Sequence, residues 1–134
     1  MSKAKLAELN PLQLAYIGDA VYDLLAREFV LKKHRRLSKL HLAEKDLVCA
    51  PSQAKIYSLL FDCLTEEEKQ IAKRGRNAQP KHRAPKAATC EEYASSTALE
   101  AVFGYLYIKG DFERIRELFA LCLYKNEEAK NAGG

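Results

Sequence analysis

No apolar run in this chain approaches the roughly 20 residues that a bilayer-spanning helix needs, and Met1 to Asn10 lacks the long apolar segment of a secretory signal. A cytoplasmic protein with no membrane association is expected. Disulfide and zinc frameworks are absent too: Cys49, Cys63, Cys90 and Cys122 lie far apart, form no C-x-x-C pair and have no histidine at zinc-finger spacing. They read as reduced cysteines, mostly in packing roles. Alternating strand patterns, hairpin turns and internal repeats are missing as well, which leaves an all-α chain. At 134 residues and 48% apolar content, residues 1–134 suffice for a single packed domain and are too apolar for disorder.

Acids are missing from two whole windows. Residues 32–41 hold five Lys/Arg and residues 69–90 hold seven, neither with an Asp or Glu, so the formal charge of +4 is a strongly basic pair of windows set against an acidic remainder. Dense positive charge of this kind suits a phosphate backbone, with affinity gained by counterion release. A solvated face explains residues 32–41 equally well. The second window contains Gly75, Asn77, Pro80 and Pro85 and few apolar residues, so much of it reads as an exposed loop. Long loops in compact domains are usually functional.

What is present reads as a succession of helices. Asn10-Pro11 starts one that runs to about Leu31, and its wide apolar surface predicts a largely buried helix. Further helices are expected over Ser38 to Cys49, from Pro51, and from the Thr65 to Glu68 capping box to about Arg76. Helix resumes near Cys90, ends at Lys109-Gly110, and is followed by a last amphipathic helix from Asp111 to about Tyr124. The ordered core is expected over about 8–124, with 125–134 a frayed tail.

Two carboxylates interrupt the most apolar helices: Asp19 in Ala15-Tyr16-Ile17-Gly18-Asp19-Ala20-Val21 and Glu100 in Thr97-Ala98-Leu99-Glu100-Ala101-Val102-Phe103-Gly104. Burying a charge costs several kcal/mol unless it is paired or holds a metal. Gly18 and Gly104 each cost about 1 kcal/mol inside a helix, and each permits close approach of another backbone. If the two helices cross at these glycines, Asp19 and Glu100 converge into an acidic pocket suited to Mg²⁺, a hard cation that keeps several waters. Asp23 follows Asp19 by one turn on the same face. The competing reading is that both acids are surface or ion-paired residues.

The stretch LAYIGDAVYDLLARE resembles the signature helix of the ribonuclease III catalytic domain, and TALEAVFGYLYIKGD resembles that domain's second acidic helix. Including Lys73-Arg74-Gly75-Arg76-Asn77-Ala78, the three blocks resemble most closely the Mini-III class of the family, which consists of the catalytic domain alone, over about residues 8–124. The resemblance implies a helical endonuclease domain, a two-fold homodimer, and Asp19 and Glu100 as catalytic, metal-coordinating residues. Apart from the resemblance, Asp23 is a candidate for a supporting contact behind the metal. It implies hydrolysis of double-stranded RNA with Mg²⁺, or Mn²⁺ as its substitute, to give 5′-phosphate ends. Larger family members carry two further carboxylates where this chain has Ala15 and Thr97, and Mini-III enzymes lack both.

No separate double-stranded-RNA-binding domain fits in 134 residues, so Arg74, Arg76, Asn77, Lys81, Arg83 and Lys86 are the candidate duplex contacts, with Gly75 and the prolines shaping the loop. His34, His41 and His82 lie in basic segments and read as surface or RNA-contact residues. By resemblance the physiological substrate is the 23S ribosomal RNA precursor, matured in some members with help from a large-subunit ribosomal protein. Two other readings stand beside the nuclease. A catalytically silent double-stranded-RNA-binding module explains the basic windows but not the two embedded acids. A helical DNA-binding module requires a recognition helix with base-reading residues in its first turn, which the basic segments fit poorly.

Overall fold

The computed structural model describes residues 1–78 and 89–133. Among the described residues seven α-helices follow one another: α1 (Lys3–Glu8), α2 (Pro11–Lys33), α3 (Leu37–Val48), α4 (Ala50–Leu60), α5 (Glu66–Asn77), α6 (Cys90–Lys109) and α7 (Phe112–Gly133), with one 3-10 turn (Phe61–Cys63) after α4. Among the described residues there is no strand, and no helix is long and apolar enough to cross a membrane.

Local chemistry sets most of the boundaries. Asn10, Thr65 and Thr89 each accept a hydrogen bond from the backbone N–H three residues on, while Gln13, Glu68 and Glu92 reach back to the cap's own N–H. These reciprocal boxes satisfy donors that a helix start otherwise leaves bare. Gly110 closes α6 with φ of +89°, the left-handed turn that a glycine adopts without steric cost, and Asp111 accepts from the Arg114 N–H to begin α7.

α6 is the central helix. Ala94 to Leu99, Ala101 to Gly104 and Leu106 are all buried, because α2, α4 and α5 pack closely around it and α1 and α7 complete its surroundings. Small residues make this possible: an ideal Cβ on Gly75 would already meet the Ala101 Cβ at 3.0 Å. Gly75, expected to shape a loop, is instead a contact between α5 and α6. The adjoining core is pinned by Tyr22, whose ring meets Phe103 and Phe119 edge-on at 5.4 and 5.5 Å and whose hydroxyl donates to the Leu47 carbonyl at 3.3 Å. One side chain thus ties α2 to α3, α6 and α7.

Three expectations are corrected. α2 is not largely buried: Leu14, Ala15, Gly18, Tyr22, Ala26 and Val30 form one buried stripe at helical spacing. A second apolar stripe, including Tyr16 (81% exposed) and Leu24 (66%), faces outward. The chain beyond Tyr124 continues as helix to Gly133 rather than fraying, since residues 125–130 are mostly good helix formers and the Lys130 ammonium reaches Asp46 on α3 at 2.9 Å. Of the cysteines only Cys122 is fully buried; Cys63 and Cys90 are exposed and Cys49 is intermediate, and all four are free thiols.

Candidate active site

α2 and α6 touch backbone to backbone where their glycines meet. A Cβ added to Gly18 would lie 1.6 Å from the Glu100 carbonyl oxygen, and one added to Gly104 would lie 1.8 Å from that of Leu14. No side chain fits at either position without separating the helices. Asp19 follows the first glycine and Glu100 lies one turn before the second, so the crossing brings the two carboxyl groups together, and they share a hydrogen bond.

The pair is electrically unusual. Burial, the hydrogen bond with Asp19 and the Asp19 charge together push the Glu100 carboxyl up to about 9, against a smaller opposing effect of the Gln53 amide. Glu100 therefore keeps its proton at neutral pH unless a cation takes the proton's place. Two hard oxygen donors facing each other meet that description for a divalent ion. Among the described residues no group of three or more His, Cys, Asp or Glu is placed to hold a metal, so Asp19 and Glu100 are the two carboxyl groups that could share one.

Asp23 is occupied elsewhere. Its carboxylate lies 3.1 Å from Arg27, and Arg27 also reaches Glu44 of α3 at 2.9 Å. The hydrogen bond with Asp23, desolvation and the Asp23 charge raise the Glu44 carboxyl, and Arg27 opposes them. Ala15 and Thr97 contribute no carboxylate: Ala15 packs with Leu14 and Ala101, and the Thr97 hydroxyl donates back to the Tyr93 carbonyl at 3.0 Å.

The basic candidates divide. Arg74 and Asn77 are exposed on α5, with Arg74 lining a cleft beside Lys3, Tyr105 and Lys109. Arg76 is drawn onto the start of α6: it donates to the Ser95 hydroxyl at 2.7 Å and pairs with Glu91. Lys81, Arg83, Lys86 and His82 lie outside the described residues.

Sequence reasoning missed two polar residues next to the carboxylates. Gln53 of α4, 1% exposed, hydrogen-bonds Glu100 through its side chain and accepts from the Ser96 hydroxyl. The available signal was periodicity: Gln53 shares the stripe of Ile56, Tyr57 and Leu60, where a polar residue needs a buried partner.

The ribonuclease III domain family model matches residues 12–111. The chain is similar to Mini-ribonuclease 3 of Symbiobacterium thermophilum, 46% identical over 82% of this chain and 85% of that one. It is similar to that of Staphylococcus aureus as well, 44% identical over 82% and 84% of the two chains. A crystal structure of a Fusobacterium nucleatum protein superposes with a TM-score of 0.79 at 33% identity, covering 87% of this chain and 93% of that one.

Proposed function

The chain belongs to the ribonuclease III family, and from that membership we propose that it is an endoribonuclease that hydrolyses double-stranded RNA with a divalent cation held between Asp19 and Glu100. The observation that carries this reading is the carboxylate pair itself, forced together at the Gly18–Gly104 crossing. The cation is Mg²⁺, with Mn²⁺ as substitute; when bound it supplies Lewis acidity to the scissile phosphate and to the attacking water. Asp19, exposed on α2, and Glu100, set among buried residues in the middle of α6, are the side chains that would hold it. Water attacks phosphorus as the bond to the 3′ oxygen breaks, leaving a 5′-phosphate and a 3′-hydroxyl. Asp23, committed to Arg27 and Glu44, supports the site through the face of α2 rather than by binding the ion.

Residues 1–134 work as one catalytic domain. Arg74, Arg76, Asn77, Lys81, Arg83 and Lys86 engage the duplex backbone, with Arg76 also held to the start of α6 through Ser95 and Glu91. The outward apolar stripe of α2, extended by Tyr107 and Phe112 on the same side, supports a two-fold homodimer. Two such sites facing opposite strands would produce staggered cuts. The physiological substrate is the 23S ribosomal RNA precursor, processed in the cytoplasm with a large-subunit ribosomal protein as helper.

The test is cleavage of a long labelled RNA duplex by wild type, Asp19→Asn and Glu100→Gln with Mg²⁺ or with EDTA, beside single-stranded RNA and duplex DNA. Cutting of duplex RNA that needs Mg²⁺ and fails in both variants is the expected result. Binding without cutting under any divalent cation, with or without ribosomal protein, would overturn the nuclease in favour of a silent RNA-binding module.

A further inference from the structure

We infer that Gln53, oriented by Ser96, is a positioning residue for Glu100, presenting one oxygen of that carboxylate to the site while holding the other from within the core. The inference rests on the reading of Asp19 and Glu100 as the metal-binding pair.

Gln53 is the most deeply buried polar side chain near the crossing and belongs to neither helix of the carboxylate pair; it comes from α4, which packs along α6. A glutamine side chain has one accepting and one donating end, and the two are interchangeable unless a partner distinguishes them. Glu100 does so, because an ionised carboxylate only accepts and the amide nitrogen must be the end that donates to it. The Gln53 Oε1 is left to accept from the hydroxyl of Ser96, which lies one turn before Glu100 on α6. Among the described residues no buried side-chain polar atom lacks a partner.

The arrangement matters because Glu100 has few other constraints. Asp19, the other side chain hydrogen-bonded to it, is exposed. A glutamate has three side-chain torsions, and a ligand free to sample several rotamers binds a cation more weakly than one held in place. The Gln53 amide also has no charge, so it can hold the carboxylate without competing with the cation as a lysine or arginine would.

Gln53→Met keeps the volume and removes the amide, and Ser96→Ala keeps the amide but frees it to turn. Mn²⁺ binding to the RNA-free protein, read from loss of the free-ion electron paramagnetic resonance signal, is measured beside kcat and KM for duplex RNA. Gln53→Met is expected to weaken Mn²⁺ binding by about 10- to 100-fold, to lower kcat at fixed Mg²⁺, and to leave KM for RNA within about twofold. Ser96→Ala should move both in the same direction by less. A purely structural role would lower the melting temperature and leave Mn²⁺ affinity at the wild-type value. That result in a folded Gln53→Met protein overturns the inference, and if Gln53→Met does not fold, the same result in Ser96→Ala does so. Asp19→Asn separates the two levels: if it too binds Mn²⁺ like wild type, the carboxylate-site reading fails; if it loses binding while Gln53→Met and Ser96→Ala keep it, only the positioning role fails.

Discussion

Glu68 and Glu100 are glutamates on neighbouring helices, both largely shielded from water, and their surroundings drive them in opposite directions. At Glu68 burial pushes the carboxyl up, but the Arg114 hydrogen bond, the Thr65 backbone N–H and the Arg114 charge outweigh it and hold the group below its ordinary value. Arg114 grips both oxygens at 2.9 Å and uses the same guanidinium to reach the Cys63 carbonyl at 3.1 Å, tying α5 to α7 and to the 3-10 turn. Glu100 has burial without a cation and faces a second acid. A buried acid with its counter-ion supplied by the chain is a structural pin. One facing another acid is strained in isolation, and the strain is relieved only by a proton or by a cation from outside.

Exchanging the two cases gives the largest expected effect. Glu100→Gln should reduce duplex cleavage about 100- to 1,000-fold, the scale of losing one group that stabilises developing charge. It should not lower, and at pH 8 without metal should raise, the melting temperature, because it removes the unfavourable acid pair. A fall in stability with full activity would reverse the roles assigned to the two glutamates.

Arg114→Met should do the converse. It leaves Glu68 buried and uncompensated, a loss of about 3–5 kcal/mol, measured by urea unfolding, while the protein that remains folded cleaves RNA at the wild-type rate. Equal stability would mean that Glu68 finds another partner or moves to solvent.

Metal-free stability against pH sharpens the contrast. Glu68 has a lowered folded value, so its contribution is present above the unfolded value of 4.5 and is lost as pH falls through the folded one. Glu100 has a raised folded value, so stability declines as pH climbs from 4.5 to about 9. The melting temperature of metal-free protein should therefore fall across the neutral and mildly alkaline range. Glu100→Gln should flatten that decline, and Mg²⁺ should stabilise more at higher pH because the ion displaces the shared proton. A wild-type profile matching that of Glu100→Gln would remove the acid pair as its cause.

The smallest effect concerns affinity. Arg74→Gln should weaken duplex binding modestly and reduce the slope of log affinity against log salt by about 1. Arg76→Gln should also lower thermal stability, because Arg76 holds Ser95 and Glu91. A salt slope unchanged in both variants would take the end of α5 out of the RNA contact.

Much of this architecture was legible before any coordinates. Thr65 with Glu68, Asn10-Pro11 and Gly110 mark helix ends through interactions spanning three or four residues, so the information lies within a short stretch of chain. Asp19 and Glu100 stood out because an acid in an apolar helix, within a turn of a helix-interior glycine, is costly on local grounds alone. Helix α1 and the end of α7 were not foreseen, since their order depends on what they pack against.

By itself the sequence determined the number and order of the main helices, the two unevenly charged windows and the pair of acids that would face each other if the glycines met. Tertiary structure alone decided which stripe of α2 turns inward, that Arg76 bends to Ser95 and Glu91, that Glu68 is neutralised by Arg114, and that Gln53 stands behind Glu100. The physical reason is range. Caps, helix propensity and charge density are set by neighbours along the chain, whereas burial and ionisation of a side chain depend on groups that only packing brings within a few ångströms.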